Sequence, residues 1–184
     1  MKGRPVGSII RNRIAVILKN MNIGYGYEIY KIYKNIFGNI HIRTIYYNLK
    51  KGIEKEEIIL LRIEKEMGKY SWGNEVEKIY YIVGPYANIS LPYKEIELIK
   101  NSLKNYEKKD INMDWGGEIK ILADSLKKDI DNYTKKFNVL SNQGKKMDKL
   151  KINKRIEKLK DYANSKISKD KLNDFLKDIN PLPP

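Results

Sequence analysis

A chain of 184 residues suits one compact domain or two small ones, at about 100–200 residues each. Its 37 Lys and Arg against 23 Asp and Glu give a net charge of +14, and 41% hydrophobic residues are enough to build a core beneath a basic surface. With no Cys and one His, the chain lacks the material for disulfides, thiol nucleophiles, zinc ribbons, multi-histidine metal sites and triads with a spare imidazole.

The positive charge is uneven. Residues 1–53 hold ten basic side chains and one acid, Glu28, a net +9; residues 54–92 carry −2, and residues 93–184 carry +7 over a much longer stretch. Such a field over the first third gathers a polyanion, and nucleic acid is the commonest one. No run reaches about 18 apolar residues, and the start MKGRPVGSIIRNR places charges where a signal peptide needs its apolar centre. A cytoplasmic protein without membrane contact is therefore expected.

In chain order, Ser8 can cap a first helix whose Ile10, Ile14, Ile17, Leu18 and Met21 recur at helical spacing. Asn22-Ile23-Gly24-Tyr25-Gly26 breaks it. A second helix sets Ile29, Ile32, Tyr33 and Ile36 on one face, with Lys31 and Lys34 turned away, and Gly38 stops it. From about His41 a third helix aligns Ile42, Ile45 and Leu49 inward and presents Thr44, Tyr47 and Lys51 outward, flanked by Arg43 and Asn48. Residues 58–66 and 75–83 then read as a β-hairpin with a long tip.

Three helices followed by a hairpin, the third helix basic and aromatic outside, is the layout of a winged helix-turn-helix domain. Gly26-Tyr27-Glu28-Ile29, with Thr44-Ile45-Tyr46 and Leu49 eighteen residues further on, resembles the PadR-like group of winged-helix transcriptional regulators. The resemblance spans roughly residues 9–83. Gly52 stands where that pattern has an apolar residue, and Glu56 where it usually has a glycine before the wing. The resemblance implies dimeric regulators, often repressors, with helical C-terminal dimerisation arms.

Pro85 and Pro92 bracket a polar joint, so residues 1–88 are expected to form the winged-helix domain and residues 89–184 a helical dimerisation region. There Ile119, Ala123, Leu126, Ile130, Tyr133, Phe137 and Leu140 form a coiled-coil-like heptad seam. An intramolecular hairpin can satisfy that seam; dimerisation is the preferred expectation, because so few helical residues make a small core. A break at Ser141–Gly144 precedes a helix with Leu150, Ile156, Leu159 and Ala163 inward, then a short one with Leu172, Phe175, Leu176 and Ile179.

The candidate DNA-contacting residues are Arg43, Thr44, Tyr47, Asn48, Lys50 and Lys51 on the third helix, with His41 at its start. Arg43 suits guanine and Asn48 adenine, each through paired hydrogen bonds in the major groove. Lys2 and Arg4, in an AT-hook-like Lys-Gly-Arg-Pro, suit a narrow minor groove, and Lys69 and Trp72 sit at the hairpin tip. Glu54, Glu56 and Glu57 cluster beyond the third helix, while no acid lies among its basic residues, so metal-assisted cleavage is disfavoured. No GxxxxGK(S/T) or GxGxxG occurs. The expectation is a non-enzymatic, sequence-specific regulator of transcription without cofactor or metal, with duplex DNA and a second copy of itself as partners and no indication of an effector. The rival expectations are a sequence-indifferent architectural DNA-binding protein and a winged-helix protein-interaction module.

Overall fold

The computed structural model describes residues 8–70 and 73–177, with the backbone alone for Lys69 and Tyr70. They form two compact units that divide between Asn112 and Met113.

The first unit begins with α1 (Ile9–Met21), whose cap Ser8 accepts a hydrogen bond from the Arg11 backbone N–H at 3.4 Å. Asn22, at φ 67°, turns the chain into a two-residue strand β1 (Gly24–Tyr25), which leads into α2 (Gly26–Phe37). The Glu28 carboxylate reaches back to the Tyr25 N–H at 3.4 Å and anchors that helix start. Gly38, at φ 85°, closes α2 by donating its N–H to the Lys34 carbonyl at 3.0 Å. After α3 (Ile42–Glu54), the strands β2 (Ile58–Tyr70) and β3 (Gly73–Val83) make a long hairpin. All pairings are antiparallel, and the sheet order is β1-β3-β2. A mainly helical chain with a small three-stranded sheet in this element order is compatible with a winged helix.

The core of this unit joins Ile14, Ile17 and Leu18 of α1 to Ile29 and Tyr33 of α2, Ile45 and Leu49 of α3, and Ile58 and Tyr81 of the hairpin. Gly52 has a packing reason: a Cβ there would stand 2.6 Å from Ile58 Cδ1, so the first side chain of β2 fills the space beside α3. Glu56, at φ 54°, holds a left-handed turn just before β2.

The expected boundary at residue 88 is corrected by α4 (Tyr93–Ser102), which belongs to the first unit. Its Ile99 is fully buried in that core, and Leu91 and Leu103 on either side join it. Two prolines mark a bend in the chain, but the core continues across it. Arg13 of α1 fastens α4 through two hydrogen bonds to Glu95, at 2.9 and 2.8 Å, while its guanidinium lies 4.1 Å from the centre of the Phe37 ring and donates to the Tyr33 hydroxyl at 3.2 Å. The Arg13 bond holds the Glu95 carboxylate below its ordinary pKa range.

The second unit comprises α5 (Trp115–Lys136), a single 3-10 turn at Phe137–Val139, α6 (Asn142–Asn164) and α7 (Lys169–Leu176). Ser141 and Ser168 cap α6 and α7, accepting from the N–H groups of Gly144 and Lys171, so the expected break at 141–144 is the start of a helix. Ile119, Ala123, Leu126, Ile130 and Tyr133 are all buried within the chain, and α5 packs on α6 and α7. Ile119 meets Ala163 and Leu172, Asp129 pairs with Arg155, and the Tyr133 hydroxyl donates to the Lys145 carbonyl at 3.3 Å. Phe137 packs edge-on against Tyr133, and Leu140 is half-buried.

The seam assigned to dimerisation is thus already closed by the chain's own helical hairpin. Periodicity identified the apolar face correctly but not its partner. Leu150, expected inward, is 62% exposed; Ile152, two residues on, takes the buried position instead. Ile179 lies outside the described residues.

Candidate nucleic-acid interface

The helix α3 has two faces of different character. Ile45 and Leu49 anchor it in the core, and Asn48 lies on the same side at 4% exposure. The Asn48 Oδ1 accepts from Ser8 Oγ at 2.9 Å, and its Nδ2 donates to the Thr44 carbonyl at 2.8 Å. Both ends of the amide are used inside the protein, bracing the start of α1 against α3. The assignment of Asn48 as an adenine reader is therefore corrected: a buried amide with two partners cannot offer the paired hydrogen bonds that base reading needs.

The outward face consists of Arg43, Tyr46, Tyr47 and Lys50, all exposed and spaced at i, i+3, i+4 and i+7. Tyr47 is 59% exposed and Tyr46 43% exposed. Tyr46 rests one edge of its ring on the start of α2, where a Cβ at Gly26 would come within 2.5 Å of it. A side chain at residue 26 would have to displace that ring. Burial of that edge, with a smaller effect of Tyr25, pushes the Tyr46 hydroxyl pKa up, so it remains a hydrogen-bond donor at neutral pH. Thr44 is half-buried, and His41, exposed at the N-cap, makes no side-chain capping bond.

The local field is set by which cations lack acids beside them. Arg11 is 9% exposed and bonded to Glu57 at 2.5 Å; Arg13 is committed to Glu95; and Lys51 pairs with Glu54 at 2.7 Å, a bond that raises the lysine pKa and lowers that of the acid. Lys51 therefore contributes less free charge than its position suggested. Lys19, Lys31, Lys34, Arg43 and Lys50 are exposed and make no ion pair among the described residues. The stem of the hairpin is different, with Arg62–Glu64, Lys65–Glu75 and Lys78–Glu66 pairs neutralising it along its length. Lys2, Arg4 and Trp72 lie outside the described residues, as does the side chain of Lys69.

Sequence patterning missed three elements of this surface. Tyr46 was visible only as one of a Tyr-Tyr pair at the face boundary, and the Ser8–Asn48 brace joins residues forty positions apart. Arg13, counted toward the basic field, had no local signal for its partner Glu95, because the two lie eighty-two positions apart. Among the described residues, no group of three or more potential metal ligands converges, and no helix is long and apolar enough to cross a membrane. Comparison with protein-family models, curated proteins and solved structures found no match.

Proposed function

We propose that this chain is a winged-helix regulator of transcription that binds duplex DNA with α3 in the major groove. The observation that carries the reading is the exposed Arg43, Tyr46, Tyr47 and Lys50 face, where neither cation makes an ion pair among the described residues while neighbouring arginines are consumed inside the fold. The order α1-β1-α2-α3-β2-β3 and the sheet order β1-β3-β2 support it. So does the left-handed backbone at Glu56, the position at which the PadR-like pattern usually has glycine.

Loss of Asn48 from the reading surface narrows base recognition. Arg43 is the residue on that face with the planar fork suited to guanine O6 and N7, and the tyrosine hydroxyls add single hydrogen bonds. A surface with one bidentate reader also favours the rival reading, an architectural protein that is indifferent to sequence. Homodimerisation remains part of the proposal but not through the α5 seam; Ile121, Met147 and Leu150 are among the apolar side chains left exposed on the second unit.

Site selection from random duplexes followed by competition binding separates the two readings. A regulator prefers its selected site over unrelated DNA by about 10³-fold or more at fixed salt. Arg43→Ala removes roughly 1–3 kcal/mol of that discrimination, whereas Lys50→Ala weakens selected and random duplexes alike. Equal loss on both duplexes from Arg43→Ala assigns the surface to sequence-indifferent binding.

A further inference from the structure

A second cationic surface lies on α2. Tyr27, Tyr30, Lys31 and Lys34 follow one another at i, i+3, i+4 and i+7, and the side chains interlock: the Lys31 ammonium lies 5.3 Å from the centre of the Tyr27 ring, Lys34 lies 6.0 Å from Tyr30, and the two rings are 5.9 Å apart. Both lysines are exposed and make no ion pair among the described residues. Glu28, the one acid in the α2 sequence, is occupied by the Tyr106 hydroxyl at 2.8 Å and the Tyr25 N–H at 3.4 Å. Those neutral donors leave the Glu28 charge in place, so the two lysines, neither of them in an ion pair, give α2 a net charge of +1. Its aromatic rings restrain the lysines and reduce the entropy lost when they bind.

This ladder runs beside the outer face of α3. At the start of α2, Gly26 meets the Tyr46 ring; towards its end, Tyr30 and Lys34 share an open groove of about 350 Å³ with Asn39, Ile40, His41 and Ile42. A helix seated in a major groove about 12 Å wide has a phosphate backbone along its flank. The hairpin stem, the usual candidate for flanking contacts, is internally neutralised.

Resting on the DNA-binding reading, we infer that the α2 Tyr–Lys ladder is the backbone clamp of this protein: Lys31 and Lys34 hold phosphates of the strand flanking the groove that α3 enters. Each phosphate contact contributes about 0.9 to the slope of log affinity against log salt. The clamp thus sets affinity and register and leaves sequence choice to α3.

The test is fluorescence anisotropy of the full chain on a labelled mixed-sequence duplex from 50 to 200 mM salt, comparing wild type, Lys31→Ala/Lys34→Ala and Lys65→Ala. The double variant is expected to lose about 1.8 from the slope, so that its deficit against wild type shrinks about tenfold across that range. Lys65→Ala should keep the wild-type slope. Circular dichroism confirms that each variant is folded. An unchanged slope in the double variant overturns the clamp while leaving α3 recognition standing, and so does an equal drop in Lys65→Ala. Failure of the wild type to bind the duplex even at the lowest salt overturns the DNA-binding reading and the clamp with it.

Discussion

Leu126 is fully buried within its own chain, so replacing it separates a closed helical hairpin from a dimer seam. Leu126→Ala removes three buried carbons and leaves a cavity, which costs about 2–5 kcal/mol. A helical unit of this size has about 3–5 kcal/mol of stability to lose. At about 4–8 °C per kcal/mol, its melting transition should fall by roughly 10–40 °C. Leu126→Glu should unfold the unit outright, since a carboxylate would replace a methyl group in a core without a cationic partner. The assay is thermal unfolding of the full chain by circular dichroism over a roughly hundredfold range of protein concentration, because a dimer's Tm rises with concentration and an intramolecular hairpin's does not. Sedimentation velocity on the same samples reports the assembly state. A wild-type Tm that climbs with concentration, together with folded monomers from Leu126→Ala, would refute the closed seam.

Three further predictions follow from the first unit. Asn48→Ala leaves the Ser8 hydroxyl without its acceptor and takes the second donor from the Thr44 carbonyl, which keeps its helical backbone bond, so it should cost about 1–3 kcal/mol in chemical denaturation while leaving the preference among duplexes unchanged; loss of discrimination at an A·T pair without loss of stability contradicts the brace. Gly52→Ala forces a Cβ to within 2.6 Å of Ile58 and should cost about 1–3 kcal/mol, and a variant as stable as wild type would show that β2 is free to move away from α3. Because Arg13 lowers the folded-state pKa of Glu95, that stabilisation is complete above the unfolded value, about 4.3, and is lost as pH falls through the depressed folded value. Glu95→Gln should therefore flatten the acid limb of stability against pH, and an acid limb as steep as that of wild type would place the titrating carboxylates elsewhere.

The first three helices and the hairpin could be read from local pattern, because each buries a face whose period matches its backbone, whereas α4 joins the same core beyond the expected boundary. Gly24-Tyr25 could not be read that way. A two-residue strand has no periodicity, and it becomes a strand by pairing with Tyr80 and Tyr81 of β3. Of the residues read as outward on α3, Tyr47 is exposed whereas Thr44 and Lys51 are half-buried, and the flanking residues divide, Arg43 exposed and Asn48 misplaced because patterning sends polar residues outward and cannot foresee a hydroxyl arriving from Ser8. The α5 seam shows the same limit for apolar residues: spacing establishes that Leu126 and Ile130 are covered, and only the tertiary fold determines that α6 and α7 cover them. Glu56 and Gly52 invert the usual logic. Both depart from the resembled pattern: Ile58 fills the space a side chain at Gly52 would need, while Glu56 keeps the left-handed backbone that suits the pattern's glycine.

The most direct measurement of the central claim is competition binding of wild type and Arg43→Ala on a selected duplex and on random duplex at one salt concentration. Wild type should prefer the selected site by about 10³-fold or more. Arg43→Ala should lose roughly 5- to 150-fold of that preference at one guanine position while still binding random DNA. An Arg43→Ala variant with undiminished preference, or a wild type with none, would contradict base reading by α3.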